Sequence, residues 1–169
     1  MAVNLLDIRA AVRTYLDTKV VVSISALAPA VPGTINPAED FAFSIIASNA
    51  AAAAGGIRLV NVSYHLSVAN ATVAQFIVPP TSVATARSGP SSSSPPLAPG
   101  ALVSTMYLFH RDNDLDVGEF DTVANLKGRS GNGVGTTQIS AHVHGNPDPD
   151  FIFPKAETSP DGVRTVNVV

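Results

Sequence analysis

The sequence predicts a mainly β fold: an antiparallel sandwich of about seven or eight strands with one α-helix at its N-terminus. Three observations lead there. Residues 57–68 alternate with period two, Val60, Val62, Tyr64, Leu66 and Val68 on one parity and Asn61, Ser63, His65 and Ser67 on the other. That pattern belongs to a strand buried on one face. The chain holds 12 Gly and 13 Pro, enough to end many short strands in sharp turns. Apolar residues make up 46% of it, but aromatics only 6%, with no Trp. Small and β-branched side chains suit thin pleated layers better than a deep aromatic pocket.

Composition also bounds the function. A chain of 169 residues is room for one domain with a real core. Charged residues are 14% of the total, well below the roughly 25% of an average domain. The formal net charge of −3 offers no basic field for phosphates, which argues against nucleic acid as a partner. The absence of Cys excludes disulfides, thiolate metal sites and Cys nucleophiles. No apolar run approaches the roughly 20 residues of a membrane-spanning helix. The first residues carry Asp7 early and lack a basic lead, which predicts no secretory signal and a chain made in the cytoplasm.

The elements follow in order. Leu5, Ile8, Val12 and Leu16 recur at spacings of three and four, placing them on one helix face. Asn4 is the expected N-cap, and the helix should end near Thr18. The sandwich proper then spans 19–169. Lys19 to Ser25 is β-branched and alternating, and Phe41, Phe43 and Ile45 alternate along the next strand. Ala50 to Gly56 reads as a loop or a single helical turn. Thr72 to Val78 should pair with 57–68 across the turn at Ala69-Asn70-Ala71. Residues 79–100, with their Ser/Pro-rich centre, read as a long loop without a ladder, because Pro lacks the donor. Further strands are expected at 102–109, 120–126, 136–144 and 163–169, with Gly128 to Gly135 as a hairpin turn.

Two constellations could carry chemistry. His142 and His144 stand two apart on a strand, so their imidazoles point to one side and could share a metal ion. Ile139, Ala141 and Val143 form the apolar face of that strand, so the pair belongs to the polar face, which favours the plainer reading of two exposed histidines over a metal site. Asp112, Asp114 and Asp116 alternate through an acidic turn and could converge on calcium, but Gly118 falls one place late for an EF-hand loop and the bidentate Glu is missing. Asp and Asn also favour turns for their own sake. No Gly-x-Ser-x-Gly elbow, paired-carboxylate cleft or phosphate-cradling Gly loop is recognisable, so the residues point away from an enzyme and imply no cofactor.

A strand followed by Thr34-Ile35-Asn36-Pro37-Ala38-Glu39-Asp40-Phe41-Ala42-Phe43, then Ala47-Ser48-Asn49, the strand at 57–68 and later Leu97-Ala98-Pro99-Gly100 form a recurring order of turns and strands. Over roughly residues 20–144 this resembles the immunoglobulin-like modules of bacterial surface and adhesion-related proteins, relatives of which also decorate phage particles. The resemblance implies a two-sheet immunoglobulin-like sandwich with a binding or scaffolding role and carries over no catalytic residue. The expected function is therefore that of a non-enzymatic structural protein: a subunit or decoration protein of a homomeric assembly such as a phage virion. A surface adhesion module, with calcium as a candidate ligand of its acidic turn, is the alternative, and a His-ligated metal enzyme comes third. The expected partners are copies of the chain and other structural subunits. The expected contacts are Leu5, Ile8, Val12 and Leu16, with Val166 and Val168 secondary.

Overall fold

The computed structural model describes residues 4–28, 34–50, 56–80, 83–85, 96–109, 114–148 and 157–169. Helix α1 (Leu5–Lys19) is followed by strands β1 (Val20–Ile24), β2 (Asp40–Asn49), β3 (Leu59–Val68), β4 (Ala74–Ile77), β5 (Val83–Thr85), β6 (Leu102–Val103), β7 (Thr105–Phe109), β8 (Phe120–Ser130), β9 (Gly135–Pro147), β10 (Glu157–Thr158) and β11 (Gly162–Val168). One sheet has the order β1-β2-β8-β4-β6. The other runs β10-β9-β3-β7-β5, with β11 also pairing β9. Every pairing between strands is antiparallel. The fold is a two-sheet antiparallel β-sandwich with one helix among the described residues.

The inward-facing parity of each sheet builds one core. Phe41, Phe43, Ile45 and Ala47 of β2 meet Tyr64 and Leu66 of β3, Ile139, Ala141 and Val143 of β9, and Leu108 of β7, all buried. Phe41 lies directly over Gly128, its cross-strand partner, where any Cβ would fall 2.3 Å from the ring. An aromatic ring has taken the space a side chain would occupy there.

Helix α1 begins at the expected cap, where the Asn4 side chain accepts from the Leu6 N–H at 3.1 Å. Val12 and Leu16 insert into the same core as the sheets, so the helix is a lid on the sandwich and belongs to its interior.

Several expectations change. The sandwich has eleven strands among the described residues; the additional ones are the short β5, β6 and β10. Strand β4 does not pair with β3. The turn at 69–73 carries the chain across to the other sheet, where β4 pairs β8 and β6. Residues 102–109 form two strands, because the chain crosses between sheets at Ser104. Likewise the Gly-rich segment is an arch and not a hairpin turn, since β8 and β9 belong to different sheets. Val83–Thr85, inside the supposed loop, pairs β7: this stretch lacks Pro and carries two β-branched residues. The centre of that loop, 86–95, and the run 51–55 lie outside the described residues. In β3 the register shifts between Val60 and Ser63, where Asn61 has a φ of 53°. The bulge turns Leu59 inward and Val60 partly out, breaking the strict parity of the sequence.

Candidate functional site

The acidic turn leads into β8, and its carboxylates converge on an arginine. Asp114 accepts from Arg58 Nη2 at 2.5 Å, and Asp116 Oδ1 stands 2.6 Å from Arg58 Nε. The second Asp114 oxygen accepts from the Asn61 N–H at 3.3 Å, and Glu119 accepts from the Asp116 N–H at 2.8 Å. Leu115, buried between them, bridges Leu59. The carboxylates on either side raise the Arg58 pKa further above its ordinary value. A guanidinium thus stands between two of the three aspartates that the calcium reading required, and the third, Asp112, lies outside the described residues. Two paired carboxylates with a cation already between them are a structural clamp.

The turn is also held from beneath. Asn49, fully buried at the end of β2, accepts from the Tyr15 hydroxyl at 2.7 Å and donates to the carbonyls of Ile57 at 2.8 Å and Leu115 at 3.3 Å. Its backbone carbonyl accepts from Gly118 and its N–H donates to Glu119. One side chain therefore joins helix, sheet and acidic turn, with its amide saturated.

The histidines among the described residues, His65, His142 and His144, gather on the outer face of the second sheet. The register sets His65 of β3 beside both Tyr107 of β7 and His142 of β9, and sets Ser63 beside His144. The His65 ring lies 4.4 Å from Tyr107 and 4.7 Å from His142, centroid to centroid, and His144 approaches Tyr107 edge-on at 6.0 Å. His142 Nδ1 is 2.9 Å from Asp161, in the connection between β10 and β11. His144 Nδ1 is buried and has no hydrogen-bond partner. Partial burial, reinforced by the neighbouring His142, lowers the His65 pKa to about 4. Burial first and His142 second also lower that of His144. Glu157 faces this corner and is paired with Arg13 of α1 at 3.0 Å. His142 and His144 do share one side of a strand, as their spacing required, and they are half-buried. Among the described residues, however, no three His, Cys, Asp or Glu side chains are placed to hold a metal ion. Sequence reasoning missed the participation of His65 and Tyr107. The parity of β3 marked His65 as outward-facing, but only the register of β3 against β9 and β7 brings the rings together.

The outer face of the first sheet carries a different surface. Its register forms the rows Val21, Ser48, Phe120 and Ser23, Ile46, Thr122 across β1, β2 and β8. No charge occurs in either row. Phe120 is 75% exposed, Val21 55% and Ile46 38%. Asp40, Lys127 and Arg129 lie at the other end of the face, where Arg129 makes a two-pronged pair with Asp40. Beside Arg129, a shallow cavity of about 250 Å³ reaches Ala38, Gln75 and Leu102.

The expected contact residues are placed differently. Val12, Leu16, Val166 and Val168 are 5%, 0%, 0% and 1% exposed. Their apolar surface is consumed inside the chain's own core, so they are not free to meet a partner, and Ile8 packs against that core. Leu5 remains exposed, with Leu6 beside it.

Comparison with known proteins speaks to the fold. No protein-family model matches the chain. No curated protein matches it either. Among solved structures, it is similar to AvmM, described as catalysing macrocyclization in alchivemycin A biosynthesis: 13% identity, TM-score 0.55, over 90% of this chain and 89% of that one. A PapD-like domain of human CEP192 aligns at 15% identity with a TM-score of 0.40, over 91% and 87% of the two chains. At such identities a shared architecture carries no shared chemistry.

Proposed function

We propose that this protein is a non-enzymatic structural subunit of a homomeric assembly, of the kind that forms or decorates a phage particle, and that copies meet through the outer face of the β1-β2-β8 sheet. The observation that supports this reading is the pair of uncharged rows, one of which ends in Phe120. A large aromatic that is three-quarters exposed at the start of a strand is costly to leave in water and cheap to cover. Its Ser and Thr neighbours lose little on desolvation compared with charges. Asp114 and Asp116 of the acidic turn are engaged in ion pairs with Arg58, which favours an architectural role for that end of the molecule.

A second reading, a ligand-binding surface module, rests on the His65, Tyr107, His142 and His144 group, where ring faces and a carboxylate share one sheet surface. Light scattering coupled to size-exclusion chromatography separates the two. The wild-type chain at micromolar concentration is expected to elute as an oligomer or polymer. Phe120→Asp should shift it to monomer with an unchanged far-ultraviolet circular dichroism spectrum, while His65→Ala leaves assembly intact. A wild-type chain that runs as a clean monomer overturns the assembly reading. An oligomer that survives Phe120→Asp overturns the assignment of the surface.

A further inference from the structure

The arch between β8 and β9, residues 131–134, reads Gly-Asn-Gly-Val. We infer that Asn132 is a site of spontaneous self-modification, in which its side-chain amide is lost by cyclisation onto the Gly133 nitrogen. Both residues are exposed, and a Cβ built on Gly133 would meet nothing within 4 Å. The side-chain direction of Gly133 is open, and Gly leaves the backbone free to bring its nitrogen to the Asn132 carboxamide carbon.

The stem of the arch is fixed. The Gly131 N–H donates to Val73 at 2.8 Å, and its carbonyl accepts from the Ala38 N–H at 2.8 Å. A Cβ on Gly131 would fall 2.0 Å from the Thr72 carbonyl oxygen. An open two-residue tip thus rises from an anchored base.

The chemistry balances without a co-reactant other than water. The Gly133 amide nitrogen, deprotonated by solvent base, attacks Cγ of Asn132. The new C–N bond closes a succinimide as the Cγ–Nδ2 bond breaks, and Nδ2 leaves as ammonia. Water then opens the ring. Attack at the side-chain carbonyl gives aspartate; attack at the main-chain carbonyl gives isoaspartate, whose backbone runs through the former side chain. No group is oxidised or reduced. Either product adds one negative charge, and isoaspartate lengthens the arch that joins the two sheets.

The other asparagines in the described residues are held or followed differently, beginning with Asn4, whose side chain caps α1 by accepting from the Leu6 N–H. Asn36 and Asn146 precede Pro and meet no attacking N–H. Asn49 is buried with its amide engaged. Asn70 accepts from Thr72, and Asn167 accepts from Thr136. Asn61 and Asn125 lie within strands and precede the bulky Val62 and Leu126.

The test incubates the full native chain in mildly alkaline buffer, with peptide mapping by mass spectrometry and enzymatic methylation of isoaspartate as readouts. Conversion should concentrate at Asn132, accelerate with rising pH and slow several-fold in Gly133→Ala. The native rate should lie within a few-fold of that in urea-unfolded chain. An Asn132 that stays intact in the native protein while the unfolded chain converts would overturn the inference. So would an undiminished rate in Gly133→Ala.

Discussion

Single residues here carry costs that the surrounding structure enforces. Ala38 follows Pro37 in the turn before β2 and has a φ of 58°. The equivalent place before β8 is held by Gly118, with a φ of 85°. A left-handed Ala costs about 1–2 kcal/mol, part of which is offset because Gly frees the unfolded chain by about 0.4–1 kcal/mol. Ala38→Gly should therefore stabilise by about 0.5–1 kcal/mol, measured by urea denaturation; a destabilised variant would show that the turn does not hold Ala in strain. Asn49→Ala should act in the opposite direction and harder. It leaves the Tyr15 hydroxyl and the Ile57 and Leu115 carbonyls without their partner, and a loss of about 2–4 kcal/mol is expected by the same measurement. Asn36, Glu39 and the Pro37-Ala38 turn were legible as turn chemistry. That Asn49 would be a buried hub was not, because its three partners come from elements distant in sequence.

At the scale of elements, the acidic turn and the first β-strand turn use one device. Glu39 accepts from the Asn36 N–H at 3.0 Å, and Glu119 from the Asp116 N–H at 2.8 Å, each just before a strand of the same sheet. Both carboxylates close a turn of four residues, and β2 and β8 then pair along their length. Arg58 adds a cross-link from the lead-in of β3. Arg58→Ala should lower the melting temperature in dilute buffer, by an amount that shrinks as salt screens the wild-type pair. Calcium should leave the wild-type melting temperature unchanged. A calcium-dependent rise would show that the carboxylates prefer a metal to the guanidinium. The sequence placed these aspartates in a turn correctly. The cation they meet comes from the other side of the sandwich, from a residue with no motif to mark it.

For the molecule as a whole, the stability of the second sheet should depend on pH. His65 takes up its proton near pH 4 in the folded chain and near its ordinary 6.5 when unfolded. Between those values the unfolded chain binds more protons, so stability is full above pH 6.5 and falls as the pH drops towards 4, after which this contribution is flat. The lowered His144 acts in the same direction. Allowing for the half-exposure of the ring, the loss from His65 is on the order of 1–2 kcal/mol. Denaturant midpoints measured across this range should show the slope, and His65→Gln should flatten it. An unchanged slope in that variant would place the acid sensitivity elsewhere. Tyr64 adds a constraint of the opposite kind. Its buried hydroxyl donates to Asp121 across the sandwich, and burial pushes its pKa far up, so the inter-sheet bond survives in alkali.

The sequence by itself determined the class of this protein: period-two alternation, frequent Gly and Pro and a capped amphipathic helix leave little but a helix-bearing antiparallel sandwich. These signals are local, since a side chain's face follows from its neighbours along the chain. Sheet membership, register and available surface were decided only in the tertiary structure. The crossovers at Ser104 and the arch at 131–134 send neighbouring segments to opposite sheets. Register makes a cluster of His65, Tyr107, His142 and His144. Packing takes Val12, Leu16, Val166 and Val168 into the core and leaves Phe120 in water. Each of these depends on partners far away in sequence, whose pairing is chosen by the energy of the whole core.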